Sequence, residues 1–500
     1  MNLTRRNFIA LGGGAIGAAA FAAPEGKPLL RLGVVSDIHV FSSPEFPFSH
    51  PGFPYGRGSV APFVRALEYF RAKKIDALLL PGDITESGID TQLKAVADAF
   101  ESVFPGGKGI DGRKVERLFL YGNHDCNEPF RHGKYGREFF REKLGSDSAL
   151  EKYGKEHAIF GREREAWEYA FGEEWRPVMT KTVNGIPFIL ASWWHDNEES
   201  AAYMEKALAS IDPHTPFFYS QHRYMRGTNW GSYGFDPDKG LLTRLFAAKA
   251  PNAVVVSGHT HYSLTDERSL WQDGFTALGA STLAYTGCLS GFENTYPIKG
   301  QDRVLQMPQI GGLPEGQQGM VIDVFADSLR IERREFVHGK ELAPDWIVPL
   351  PAPKDSPVSQ ASRRRQGTPP EFPSDAKVAC SRTDGKDRAG KATKQIVVEF
   401  SGADETVGRR AYAYAVSVEK DNCSVAPVPE KRVIAPYFFL TAEVAKSRSK
   451  QICPKCVFAE DELPNDTRFR FAVRAVNSFG VSGNAIYSDW TEMEERKGNV

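Results

Sequence analysis

Cysteine is scarce, with six residues in a chain of 500. That is too few for disulfides to organise the whole fold, so packed apolar cores must do so. An excess of one charge is lacking too. The 62 Lys and Arg nearly balance the 63 Asp and Glu, for a formal net charge of -1. Nothing global therefore pulls the chain toward nucleic acid or an anionic membrane. No basic stripe marks a nucleic-acid track. Beyond the N-terminus no apolar run is long enough to span a bilayer, and no internal repeat is visible. What is there is ordinary: 41% hydrophobic and 25% charged residues, enough for two or three domains.

The N-terminus stands apart. "LTRRNFIALGGGAIGAAAFAAPEG" has a basic start, a Gly/Ala-rich apolar middle and a small-x-small ending. This pattern predicts a secretory signal peptide over residues 1–22, cut after Ala20-Phe21-Ala22. The competing reading is a buried Gly/Ala helix or an uncleaved anchor. Thr4-Arg5-Arg6-Asn7-Phe8-Ile9 resembles a bacterial twin-arginine signal. The resemblance implies export of a folded protein by the twin-arginine machinery, often with its cofactor loaded, to the periplasm or beyond. No transmembrane segment would remain after signal removal. Export permits disulfides, and Cys380, Cys423, Cys453 and Cys456 allow three pairings. Cys453-Pro454-Lys455-Cys456 could also be half a zinc site or a redox pair. There is no second C-x-x-C and no thioredoxin-like context, so structural disulfides are expected.

From about residue 29 to 340, short apolar runs alternate with amphipathic stretches. "LLRLGVVS", "ALLLPG", "RLFLYG", "PFILAS", "TPFFYS" and "AVVVSG" each end in small or polar residues, while "VAPFVRALEYFRAKK" has helical spacing. This predicts an α/β domain with active residues at strand ends. Residues 341–375 are rich in Pro, Ser and Arg and read as an extended linker, with Arg363, Arg364 and Arg365 solvated. Residues 376–490 switch to two-residue alternation, as in "AYAYAVSV" and "TRFRFAVRAVN", which predicts an all-β sandwich. "LPNDTRFRFAVRAVNSFGVSG" resembles the late strands of a fibronectin type III domain, although Phe469 stands where that family usually has Tyr. The sandwich reads as accessory to the α/β domain.

Five of the apolar runs deliver the same chemistry. "VVSDIHV" brings Asp37 and His39. "LLLPGDITESG" brings Asp83. "LYGNHDCN" brings Asn123, His124 and Asp125. "FFYSQHRY" brings His222, for which His195 and His214 compete. "VVVSGHTHYS" brings His259 and His261. Parallel strands of one sheet would gather such ends at one edge. Imidazoles and carboxylates there are first-row metal ligands, and they are too many for one ion. Singly, each residue is as readily a turn residue, helix cap or surface group; together those readings would have to hold independently.

D-x-H, G-D, G-N-H-D, a lone His and G-H-x-H, in this order, resemble the calcineurin-like metallophosphoesterase family over about residues 29 to 336. The resemblance implies a four-layer α/β sandwich holding two divalent or mixed-valence metal ions (Mn, Fe or Zn). Asp37, His39 and His261 would hold the first ion. Asn123, His222 and His259 would hold the second, and Asp83 would bridge them. His124 would donate a proton or stabilise charge, with Asp125 orienting it. The activity implied is hydrolysis of a phosphate mono- or diester by attack of a metal-bridging hydroxide. Purple acid phosphatases carry Tyr three residues after the bridging Asp; here that residue is Glu86, which argues against an Fe(III)–tyrosinate pair. A 5′-nucleotidase-like hydrolase and an inactive binding protein of the same fold are the alternatives. Candidate substrate contacts are His50 and Arg57, in the insertion "FSSPEFPFSHPGFPYGRG", and Arg223 after His222. Lid packing is the equal alternative for both loops.

Overall fold

The computed structural model describes residues 24, 26–42, 58–126, 137–193, 197–212, 214–229, 240–284, 286, 317–386, 391–403, 410–421, 428–435, 438, 453–465 and 467–491. The signal-like segment, His50, Arg57, His195, Cys288 and Cys423 lie outside the described residues.

The short apolar runs fold as strands of two six-stranded sheets. The first sheet holds β1 (Leu30–Val34), β2 (Ala77–Pro81), β3 (Glu116–Leu120), β10 (Gln318–Val324), β11 (Ser328–Glu335) and β12 (Lys340–Pro349), in the order β12-β11-β10-β1-β2-β3. The second holds β4 (Val178–Val183), β5 (Ile186–Ala191), β6 (Phe217–Gln221), β7 (Ala253–Ser257), β8 (Leu270–Gln272) and β9 (Thr276–Gly279), in the order β4-β5-β6-β7-β9-β8. β1, β2 and β3 run parallel, as do β5, β6, β7 and β9. Strands that share a direction release their C-terminal loops at a common edge, which is where the polar motifs lie.

Side chains alternate across a strand, and this alternation explains the layers. Phe188, Leu190, Phe218, Val254 and Val256 join one core with both sheets. Their neighbours Ile189, Phe217, Tyr219 and Val255 pack with the helices Asn197–Ser210 and Leu241–Lys249. On the far side, Phe70 of the helix Ala61–Lys73 and Ile75 lie against Gly33 of β1. The order is helix, sheet, sheet, helix. With both faces covered, all five residues of β2 are buried. Among the described residues no helix is long and apolar enough to cross a membrane.

The C-terminal region forms two antiparallel sheets. One has the order β13 (Val378–Lys386), β14 (Ala392–Phe400), β17 (Lys455–Ala459). The other has the order β16 (Lys431–Ile434), β15 (Ala413–Lys420), β18 (Phe469–Val476), β19 (Ser482–Tyr487). Val398, Tyr414, Val416, Phe458, Phe471 and Val473 fill the space between them.

Two expectations change. The segment 341–375 is not an extended linker. β12 completes the first sheet as far as Pro349, and Gln360–Gln366 is a helix whose N-cap Ser359 accepts from the Ser362 N–H. Arg363 is not solvated. Its guanidinium donates to the Glu267 and Leu270 carbonyls, while Arg364 and Arg365 stay exposed. A segment with no apolar period can still pack when its polar groups satisfy a neighbour's backbone. The disulfides are also corrected: Cys126, Cys380, Cys453 and Cys456 are free thiols. Cys380 and Cys456 both pair with Val398, from opposite sides. Two strand spacings, roughly 10 Å, exceed the Cα separation a disulfide tolerates.

Candidate metal centre

The loop after β1 does not leave the sheet freely. The N–H groups of Asp37, His39 and Val40 donate to the carbonyls of Gly82, Asp83 and Ile84 at 3.2, 3.1 and 3.0 Å. The D-x-H and G-D loops therefore run side by side past the ends of β1 and β2. Asp37 and His39 are one residue apart, so each needs a bent backbone to face the same point. Both have positive φ, 50° and 52°, as do Asp83 at 50°, His259 at 72° and His261 at 56°. Left-handed non-glycine residues are uncommon and cost about 1–3 kcal/mol each. Five of the eight among the described residues are candidate ligands, so the strain is concentrated at this centre.

The glycines of the motifs allow close approach. A Cβ on Gly82, which has φ 95°, would stand 2.5 Å from His222 Nδ1. A Cβ on Gly258 would stand 2.1 Å from Ser36 Oγ and 2.4 Å from Asp37 Oδ2.

The side chains converge in three groups: Asp37, His39, Asp83 and His261; Asp83, His222 and His259; and His39, Glu86 and His124, of which the first two share Asp83. Within each group the candidate donor atoms lie within 4.8 Å of one another. Asp83 Oδ2 stands 3.1 Å from His222 Nε2 and 3.6 Å from His39 Nε2. Asp37 Oδ1 is 3.0 Å from His261 Nε2. His222 Nδ1 donates to the Pro81 carbonyl at 2.6 Å, and His39 Nδ1 donates to Glu86 Oε2 at 2.7 Å. With Nδ1 protonated, each presents the bare Nε2 that a metal requires. Three further observations fit two cations. His39 Nε2 and His261 Nε2 face each other at 3.0 Å, so their lone pairs repel unless a proton or a metal lies between. His222 Nε2 is buried 3.1 Å from Asp83 Oδ2 but outside hydrogen-bond geometry, a spacing that suits a shared ion. So is Asn123 Oδ1, a neutral oxygen donor on the short helix Asn123–Cys126.

The protein's own electrostatics fit the same picture. Burial alone would raise the Asp37 carboxyl, but His261 and His222 outweigh it and hold it below its ordinary value. Asp83 is held well below, since His222, His124 and His39 overcome its burial. Burial would lower His222, yet Asp83 and Asp37 push it up to about 9. Burial and His222 drive His259 down to about 3, and burial with His124 lowers His39. This set of opposed shifts is what results when positive charge meant for cations rests on imidazoles.

His124 lies beside the two groups. Its N–H donates to Asp83 Oδ1 at 2.8 Å, and its Nδ1 donates to the Glu86 carbonyl at 3.1 Å. Burial would lower it, but Asp83 and Glu86 raise it to about 9. The expected orienting role of Asp125 is not what the geometry gives. Its two oxygens accept from the N–H groups of Gly122, Thr85 and Ile84 and from Thr85 Oγ1 at 2.7 to 3.2 Å. That carboxylate ties the G-D loop to the G-N-H-D loop. Glu86 holds both His39 and His124, and sequence reading noticed it only as a position where Tyr is missing. Trp193 was missed as well. Its ring stands 5.8 Å from His222 and 5.6 Å from His259, and the Arg223 guanidinium lies 3.8 Å over it. No motif signalled Trp193. His214 lies away from the cluster, on the turn before β6.

An α/β sandwich that places two groups of metal donors around one shared carboxylate defines a di-metal class of site. The family comparison agrees: residues 30–263 match the model of the calcineurin-like phosphoesterases. No curated protein matches the chain. Among solved structures, a dimetal phosphatase from Danio rerio aligns at 10% identity and TM-score 0.34, covering 64% of this chain and 99% of its own. A purple acid phosphatase from yellow lupin seeds aligns at 14% identity and TM-score 0.37, covering 64% of this chain and 53% of its own. A predicted phosphoesterase from Streptococcus pneumoniae aligns at 10% identity and TM-score 0.24, covering 64% and 97%. At these scores the solved structures add no argument to the family match and the geometry.

Proposed function

We propose that this chain is an exported di-metal phosphoesterase of the calcineurin-like family that hydrolyses a phosphate mono- or diester. The observation that carries the reading is Asp83, a buried carboxylate shared by two groups of donors. Asp37, His39 and His261 would hold one ion, Asn123, His222 and His259 the other, and Asp83 both. Mn, Fe or Zn bound there would offset the charge on the phosphate and acidify a water.

The remaining residues prepare the substrate and move the proton. His124 Nδ1 is occupied by the Glu86 carbonyl, so the transferable proton sits on Nε2. The carboxylate and carbonyl of Glu86 beside the ring favour its protonated form, which would donate to the leaving oxygen. Asp125 keeps the two ligand loops in register. Arg223, whose guanidinium lies 3.8 Å over the Trp193 ring, would bind a phosphate oxygen. Glu86 in place of Tyr supports a site without Fe(III)–tyrosinate. The twin-arginine pattern at Arg5-Arg6 supports export to the periplasm or outside a bacterial cell.

The test is metal content and hydrolysis of chromogenic mono- and diesters by the wild type and Asp83→Asn. Removing the shared charge should cost metal and activity together. An Asp83→Asn chain with two metals and near wild-type turnover would refute the assignment.

A further inference from the structure

The loop after β7 carries His259 and His261, and its next residues leave the metal centre for the other domain. Tyr262 directly follows a candidate ligand. It is 1% exposed and lies in the hydrophobic core of the C-terminal sandwich, not in the α/β core. Thr265 Oγ1 donates to the Phe438 carbonyl at 3.1 Å, and Arg410 donates to the same oxygen at 2.8 Å. Arg268, also 1% exposed, is gripped by the Asp266 carboxylate at 2.7 Å and lies 4.3 Å over the Tyr412 ring. On the other side of the loop, the linker's Arg363 binds the Glu267 and Leu270 carbonyls. At its start the loop is tied by the His259 N–H to both oxygens of Asp37, each at 3.0 Å.

Between these two anchors lie the left-handed residues His259 and His261. Such backbone persists only where its surroundings over-determine it. The α/β domain supplies the first anchor, and the sandwich with its linker supplies much of the second. The bend at His261 parts two adjacent side chains, the imidazole toward Asp37 at 3.0 Å and the Tyr262 ring into the sandwich. A shift of one therefore turns the other.

We propose that the C-terminal sandwich is a positioning element of the metal centre, holding His261 in place through Tyr262, Thr265 and Arg268. The inference rests on the di-metal reading above and goes past it, because it makes an apparently accessory domain part of the centre. Tyr262 touches no reacting atom; it is a positioning residue.

The test is Mn2+ binding to the full-length chain by calorimetry, with amide hydrogen exchange of residues 259–265. Four variants are compared with wild type: Tyr262→Ala, Tyr262→Phe, Thr265→Val and Phe458→Leu. The last perturbs the sandwich core at β17, where Phe458 packs on Phe471. Wild type should bind two equivalents. Tyr262→Ala should weaken one of them about 10- to 100-fold, the usual loss when a ligand's supporting partner is removed, leave the other unchanged, and speed exchange in the loop. Tyr262→Phe keeps the ring and should restore both equivalents. Phe458→Leu should lower the melting temperature yet bind Mn2+ as wild type does. If Tyr262→Ala fails to fold, Thr265→Val carries the same expectation on the same equivalent. The proposal is overturned if the folded loop variants bind both equivalents as wild type does, or if Phe458→Leu weakens the same equivalent as much. A wild type that binds two Mn2+ but hydrolyses no phosphate ester would overturn the catalytic reading and leave this one standing. A wild type that takes up none of Mn2+, Fe2+ and Zn2+ overturns both.

Discussion

His124 and His222 are both raised to about 9, and both owe it chiefly to Asp83 acting against burial. Their consequences differ. His222 must be neutral to ligate, so binding has to expel its proton. Below pH 9 the proton competes with the metal, and Mn2+ affinity should rise with pH, by about tenfold per unit for one proton. Calorimetry between pH 6 and 8, in buffers of different ionisation enthalpy, should detect the released proton. A flat profile would count against His222 as a ligand. In the proposed reading His124 has no such competition, because it would give a proton rather than bind. His124→Ala should keep both metals and lose roughly 10²–10⁴-fold in rate. Aryl phosphates with acidic leaving groups should be affected least, since they depart unprotonated. Equal losses across such a series would argue against proton donation.

At the scale of elements, the centre depends on loops approaching more closely than ordinary side chains permit. The loop after β7 lies over the loop after β1 because Gly258 leaves room for Ser36 Oγ and Asp37 Oδ2. Gly258→Ala puts a methyl into that space, and such overpacking costs about 1–3 kcal/mol. The strain should be relieved by moving Asp37 or His259, so the variant should fold, melt lower and bind Mn2+ more weakly. Ser36→Ala on top should not rescue binding, because Asp37 Oδ2 still stands 2.4 Å from the new methyl. Restored binding in the double variant would place the conflict at Ser36 alone.

Across the whole molecule, the described residues of the α/β and sandwich regions are joined by buried polar contacts. Arg268 over Tyr412, Thr265 on Phe438 and Arg363 on the Glu267 carbonyl all cross between the α/β and sandwich regions or through the linker helix. Glu267 also fastens its loop to the first sheet: Arg333 donates to it at 2.7 Å and Trp346 Nε1 at 2.6 Å. Breaking such contacts leaves buried charge uncompensated, so neither region should unfold without disturbing the other. Scanning calorimetry of the full chain should show one cooperative transition. Two well-separated transitions would mean that the regions are thermodynamically independent.

The types and order of the candidate metal ligands were legible without any structure. Carboxylates, imidazoles and one amide each follow a short apolar run, and only strand ends of an α/β sheet would gather them. The α/β pattern was legible too, because short apolar runs alternate with amphipathic stretches, while the four layers were expected only from the family resemblance. What Glu86, Trp193 and Asp125 do was decided by tertiary structure. Each works through a partner far along the chain: Glu86 on His39, Trp193 under Arg223, and Asp125 on the backbone of Thr85. The pairing of Tyr262 with the sandwich is of the same kind. Its spacing from His261 is plain in the chain, but which core receives the ring depends on how two domains pack. Local period and turn chemistry report what a residue's near neighbours require. They carry no record of contacts closed over tens of residues or more, and those contacts turn a set of ligands into a centre.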